Sequence, residues 1–386
     1  MRILHVAQRW REVGGVETYT MELVGLLGRS GHGNLVAVAE AGDVPAAADG
    51  VVAAPAPGPD LDDLVAEYRP DVAYLHDVYD PDLAAAVVER LPAVAYVHIF
   101  YPVCPGLAKL YGRGETICER AYGLGCVPSI YLRRCASARA PWNVYRIMAQ
   151  TRRHLSVLAR VPRVLVASRY MADLLVQNGL EGERVTRLPY FVPIPPSVAG
   201  PRAGGDLLFV GRIEPEMGLE RLLEALARMR SQRRLTVVGA GSHEDACRRA
   251  AERLGLAGRV LFRGWLSTAE VAAAYEEAAI VVMPTLMPEP FGKVGVEAMA
   301  HGRPVVAFGV GGIPDWLRHG DNGLLVAAGD VDGLARSLDE LIDDPQRARE
   351  LGRNGRGLAV ERYGADAHLA SLVSVLEAAA RGGSGA

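Results

Sequence analysis

Short apolar runs recur along the chain, divided by turns rich in glycine, proline and aspartate and by stretches whose apolar residues return every three or four positions. The runs at 2–7, 35–39, 51–54, 72–75, 94–97, 164–167, 185–188, 206–210, 235–238, 260–262, 280–283 and 305–308 are largely apolar rather than alternating. Strands buried on both faces of a parallel sheet show that pattern. Helical spacing falls between them: Tyr19, Leu23, Leu26 and Leu27 in a helix ending near Gly31, then 61–68, 81–90, 142–160, 243–254, 268–278 and 294–301, with Ser168 capping another. The alternation predicts an α/β architecture of two doubly wound, Rossmann-like domains. Residues 189–202 hold five prolines and no periodicity, so the chain divides into 1–190 and 203–362 around a linker at 191–202. Its 386 residues exceed what one core usually supports, which agrees with two domains. Helices at 345–362 and 365–381 precede a Gly-Ser tail. The tripeptides Asp60-Leu61-Asp62 and Asp330-Val331-Asp332 read as helix N-caps, so no Asp-x-Asp metal centre is expected.

The pattern breaks at 100–141, too long a stretch for a simple connection and therefore read as a functional insertion. Cys104, Cys118, Cys126 and Cys135 fall in it. Four thiols in a segment without its own core lead us to expect a structural zinc, with free thiols or a labile disulfide as the alternative, because no Cys-x-x-Cys pair is present. Between residues 100 and 170 twelve basic residues stand against Glu115 and Glu119, although the whole chain carries a net charge of only −3. That small total excludes general nucleic-acid binding, while the local excess points to an anionic partner: a phosphorylated or lipid-linked acceptor, or an acidic membrane surface along the 142–160 helix. No apolar run is long enough to span a bilayer and the first residues read as a strand. The expected location is therefore cytoplasmic, with peripheral attachment at the inner face of the membrane.

The most informative stretch is 287–302, where Glu289-Pro290-Phe291-Gly292-Lys293-Val294 links the run at 280–283 to a helix ended by Gly302. A helix that begins at the carboxyl end of a parallel strand points free N–H groups and positive dipole at any anion bound there. Glu297 sits in a helix of small apolar residues, where a carboxylate needs hydrogen-bond donors; the vicinal diol of a ribose would supply them.

Two glutamates separated by seven residues, with Pro-Phe-Gly between them and Ala-Met-Ala after, resemble the acidic signature of retaining nucleotide-sugar glycosyltransferases of family 4. The resemblance implies that Glu289 faces the donor sugar, that Glu297 holds the ribose, and that the amides of Phe291, Gly292, Lys293 and Val294 hold the diphosphate. Gly14-Gly15-Val16-Glu17 resembles the family's glycine loop near the diphosphate, and His98, directly after its strand, the histidine that contacts the donor sugar; Ile99 stands where many members have Asp. Gly211-Arg212 resembles the start of a motif whose Arg and Lys neutralise the departing diphosphate, but Met217 replaces the Lys. The turn at Arg263 matches the place where members present backbone to the base, and 321–326 resembles their closing turn and strand.

The implied fold is GT-B, two Rossmann-like domains with the active site in the interdomain cleft and a last helix, 363–386, returning to the first domain. The implied activity is metal-independent hexosyl transfer with retention, from a UDP- or GDP-sugar to a sugar, lipid-linked sugar or small-molecule acceptor. The alternatives are an epimerase or phosphorylase of the same fold, or a silent sugar-nucleotide-binding protein, the last motivated by Met217.

Overall fold

The computed structural model describes residues 1–10, 14–40, 50–53, 59–112, 116–137, 139–201 and 204–382. In chain order the first elements are β1 (Arg2–Ala7), α1 (Gly15–Arg29), β2 (Gly33–Val38), β3 (Val51–Ala53), α2 (Pro59–Tyr68), β4 (Val72–His76), α3 (Pro81–Arg90) and β5 (Ala93–Val97). A small hairpin, β6 (Leu110–Tyr111) and β7 (Thr116–Ile117), precedes α4 (Cys126–Leu132), α5 (Pro141–Leu158), β8 (Arg163–Val166), α6 (Arg169–Gln177) and β9 (Val185–Arg187). There follow β10 (Leu207–Val210), α7 (Leu219–Arg228), β11 (Leu235–Val238), α8 (Glu244–Arg253), β12 (Val260–Phe262), α9 (Thr268–Glu277), β13 (Ile280–Met283), α10 (Lys293–Ala300), β14 (Val305–Phe308) and β15 (Gly323–Val326). The last helices are α11 (Val331–Asp343), α12 (Pro345–Arg362) and α13 (Ala365–Gly382).

Two compact units result, one of Met1–Ala108, Arg120–Tyr190 and Asp366–Ala386, the other of Lys109–Glu119 and Phe191–Ala365. The first is built on a parallel sheet of order β3-β2-β1-β4-β5-β8-β9, the second on one of order β12-β11-β10-β13-β14-β15. In each, successive strands build outward from a first strand and then reverse to its other side. The crevices left at the carboxyl ends, beside β1 and β4 and beside β10 and β13, are where ligands bind in open parallel sheets.

Burial explains why the apolar runs became these strands. Ile3, Leu4, His5 and Val6 of β1 and all of β13 are buried, so their side chains face helices on both sides of the sheet. Helix α7 buries Leu219, Leu222, Leu223 and Leu226, a stripe at spacing i, i+3, i+4 and i+7. Local chemistry sets several boundaries. Asp80 accepts from the N–H of Asp82 at 2.8 Å ahead of Pro81, and Ser267 and Glu270 form a reciprocal cap on α9. Asp330 caps α11 as expected, but Asp60 does not cap α2, because that helix already begins at Pro59 and Asp60 lies in its first turn.

The hairpin, α4 and α7 go beyond the elements predicted. The prolines between the sheets are held on the second unit: buried Arg303 donates to the carbonyls of Ala199 (2.7 Å) and Gly200 (2.9 Å), and Arg356 to that of Pro195 (2.6 Å). Ala54 of a predicted strand, the 202–203 junction, Arg113 and Glu115 of the insertion, and the tail at 383–386 lie outside the described residues.

Candidate functional site

In the first unit, Gly14, Gly15 and His98 lie at the carboxyl edge of the sheet. Gly14 is the N-cap of α1, its carbonyl accepting from the N–H of Thr18 at 3.1 Å. A Cβ at Gly15 would meet nothing within 4 Å, so this backbone is open to a ligand. Tyr19, one turn into α1, sets its ring edge-on to His98 with centroids 5.5 Å apart.

His98 follows β5 and is buried. Its ring stacks on Tyr96 at 4.2 Å, Nδ1 is 2.7 Å from the Tyr190 hydroxyl, and its backbone N–H donates to Asp77 Oδ1 at 2.9 Å. Burial pushes the imidazole down to about 3, so the ring is neutral at ordinary pH. Nε2 is buried without a protein partner, an arrangement that costs free energy unless a ligand completes it. When the Tyr190 O–H donates to Nδ1, Nε2 carries the ring proton and offers it as a donor. Asp77, at φ +46° and buried, fixes this turn by accepting from the N–H groups of His98 and Ile99; burial pushes its carboxyl up to about 8 against those bonds. The sequence reading missed Asp77. Its signal was available, since it follows buried β4 at the same edge.

In the second unit, Arg212 follows β10 and Glu289 follows β13, on adjacent strands that flank the reversal. Partial burial pushes the Glu289 carboxyl up to about 7, opposed by the charge of exposed Arg212 and a hydrogen bond from Thr285. The Glu289 backbone is pinned from the other side, its carbonyl accepting from the N–H of Gly312 at 2.7 Å. Glycine is required beside it, because a Cβ at Gly311 would meet that carbonyl oxygen at 2.3 Å.

Glu297 lies on α10 with Lys293 one turn before it, Nζ to Oε1 3.5 Å, while Tyr275 donates its hydroxyl to the other carboxylate oxygen at 3.1 Å. Both groups offer hydrogen-bond donors to the carboxylate. Tyr275 lies on α9 and its role was not foreseen. Phe291 is buried and its carbonyl accepts from Trp316 Nε1 at 2.6 Å, which fixes the turn where Gly292 leads into Lys293 and Val294 at the start of α10. Close packing extends into the helix, since a Cβ at Gly295 would lie 2.1 Å from Trp316.

Gly211 and Met217 are neighbours: a Cβ at Gly211 would stand 3.7 Å from the Met217 methyl. Arg263 follows β12, two strands from β10, and its N–H donates to the Val237 carbonyl at 2.8 Å.

The four cysteines do not form the expected zinc site. Cys104 belongs to the apolar core of the first unit, Cys118 Sγ lies 3.1 Å from the Tyr111 hydroxyl on the hairpin, and Cys126 opens α4. Among the described residues no disulfide links them, and no group of three or more His, Cys, Asp or Glu could hold a metal. A four-thiolate centre needs its sulfurs gathered around one point.

Comparison with known proteins meets this geometry. Residues 13–194 match the family profile "Glycosyltransferase Family 4" and residues 201–358 the profile "Glycosyl transferases group 1". The chain is 36% identical over 187 residues to the D-inositol 3-phosphate glycosyltransferase of Streptomyces bingchenggensis, covering 45% of this chain and 41% of that one. It is 32% identical over 236 residues to the phosphatidyl-myo-inositol mannosyltransferase of Mycobacterium leprae, covering 60% and 62%. The chain thus spans about half the length of the curated relatives it matches. The crystal structure of Anabaena HepE in complex with UDP superposes with a TM-score of 0.70 at 20% identity, over 98% of this chain and 100% of that one. That likeness establishes the GT-B fold.

Proposed function

We propose that this chain, which belongs to glycosyltransferase family 4, moves a hexose from a nucleotide diphosphate sugar to an acceptor hydroxyl with retention of configuration. The observation that carries the reading is the placement of Glu289 and Glu297 at the two ends of one strand-to-helix turn, with Arg212 on the adjoining strand edge. Glu297 takes the ribose diol, and Tyr275 and Lys293 orient that carboxylate. The amides of Gly292, Lys293 and Val294 at the start of α10 take the diphosphate. Glu289 positions the hexose; on the first unit, the Nε2 of His98 and the open backbone at Gly15 are assigned to polar groups of a ligand. A uridine nucleotide is the favoured donor, since a protein of the same fold was crystallised with UDP.

In the reaction the bond from the anomeric carbon to the diphosphate oxygen breaks and negative charge develops on the leaving group. Arg212 and Lys293 stabilise that charge. The acceptor oxygen bonds to the same face of the anomeric carbon, and its proton passes to a phosphate oxygen. No metal is assigned a role. We assign to Lys293, on α10, the part of the second cation that Met217 cannot supply. For the acceptor, relatives named for inositol phosphate and phosphatidylinositol favour an anionic polyol.

The test is incubation with UDP-hexoses and a panel of phosphorylated polyols, with the product anomer read by NMR. We expect a retained product, at least about a hundredfold loss of kcat in Glu289→Ala with a small change in KM, and the reverse split in Glu297→Ala. An inverted product, or identical kinetic losses in both variants, contradicts the assignment.

A further inference from the structure

The four most exposed large hydrophobic side chains among the described residues all lie within one short segment of the first unit: Leu124 (89%), Leu132 (83%), Tyr145 (76%) and Trp142 (73%). Trp142 and Tyr145 project from one face of the first turns of α5, beside Arg146, while Val144 and then Thr151, His154 and Leu158 bury the other. Leu124 and Leu132 bracket α4, and Tyr122 ties that segment to α5 by donating its hydroxyl to the Met148 carbonyl at 2.6 Å. From Arg120 to Ala172 the chain carries ten arginines and no Asp or Glu.

The structure divides those arginines. Arg153, on the second half of α5, and Arg160, just beyond its end, pair with Asp82 and Glu89 of α3, the latter pair at 2.8 Å, so these two face the protein's own carboxylates. Arg134, Arg139 and Arg146 are exposed around the apolar side chains. The outward basic charge therefore includes the N-terminal end of α5 and the segment after α4.

We propose that this end of the first unit, formed by α4, the start of α5 and the loop between them, is a docking surface for an anionic lipid bilayer. Trp142 and Tyr145 lie at the headgroup level, Leu124 and Leu132 enter the acyl boundary, and Arg134, Arg139 and Arg146 meet lipid phosphates. Side chains that stand almost wholly free and are separated by arginines suit a fluid phase that closes around each of them. The core of a protein interface is instead depleted of charge. Among the described residues no helix is long and apolar enough to cross a membrane, so attachment here is to a surface.

The experiment is flotation of the full chain with vesicles of phosphatidylcholine alone and of phosphatidylcholine mixed with phosphatidylglycerol, at low and high salt. Binding is expected to be at least about tenfold stronger on the mixed vesicles and to weaken with salt. It should fall by about tenfold in Leu132→Ser/Trp142→Ser and in Arg134→Gln/Arg139→Gln/Arg146→Gln, with thermal unfolding unchanged in both. Equal recovery on both lipids, or full binding by both variants, overturns the proposal. If a variant fails to fold, wild-type protein with brominated lipid decides. Quenching that disappears in Trp142→Phe supports docking at this end, and quenching that persists there overturns it.

Discussion

Glu289 carries a conflict between stability and chemistry that can be measured. Burial holds its carboxyl at about 7, above the ordinary carboxylate range, so between pH 4.5 and 7 the folded chain binds more protons here than the unfolded one. The stability contributed by the protonated group is complete below pH 4.5 and is lost as pH rises through 7. Glu289→Gln stays neutral throughout. Its Tm should match wild type at pH 4 and exceed it at pH 8; a difference independent of pH would show that the carboxyl ionises normally. Glu289, Glu297 and Arg212 were legible in the sequence because spacing within one turn and position after a buried run are local properties. Tyr275 and Thr285 were not singled out, because each acquires its role through packing, whereas Asp77 was missed although its place directly after β4 marked it. Tyr275, for instance, reaches Glu297 across 22 residues of sequence.

At the scale of elements, tight turns place these side chains, and the turn before α7 is the clearest case. Gly218 has φ +74°, and a Cβ there would lie 1.8 Å from the Pro284 carbonyl oxygen, directly ahead of the loop that carries Glu289. Gly255 has nearly the same φ, +73°, with nothing within 4 Å of a Cβ. Gly255→Ala should therefore cost only the backbone strain, about 1 kcal/mol, and Gly218→Ala at least about 2 kcal/mol more. Equal losses in denaturant titration would mean that the turn at 218 is free to move. Strands were the most legible elements: β11, β12 and β13 fall on the predicted residues because each is a short, largely apolar run, buried in β11 and β13 and more exposed in β12 at the sheet edge. Helix α7 was not expected, although its leucine stripe is visible in the sequence. Cysteine spacing alone does not report whether thiols meet at one point, and among the described residues no group able to hold a metal is found.

Across the molecule, the first unit has histidines where apolar residues usually pack. His5 Nδ1 lies 3.2 Å from His76 Nε2, His76 stacks at 5.8 Å from His98, and His154 and His368 are buried elsewhere in the unit. Burial lowers them all: His5, His154 and His368 to about 4, His98 to about 3, and His76 well below its ordinary value. With folded values depressed, the unfolded chain binds the extra protons, so this stability is present above pH 6.5 and is lost as pH falls toward 4. Tm should drop by about 5 °C or more between pH 7 and pH 5, and His154→Gln should flatten the slope. A flat wild-type profile would mean that these rings titrate normally. The two doubly wound sheets were legible as a whole, because alternation and reversal follow from buried runs joined by helices.

The most direct test of the central claim, that the turn between β13 and α10 holds a nucleotide sugar, is calorimetric titration of UDP-hexose into wild type and Glu297→Ala. Wild type should bind with one site per chain and the variant at least about tenfold more weakly, the loss expected when one charged hydrogen-bond acceptor is removed. Equal affinity in the two proteins, or no binding of any UDP-, GDP- or ADP-sugar by wild type, would contradict it.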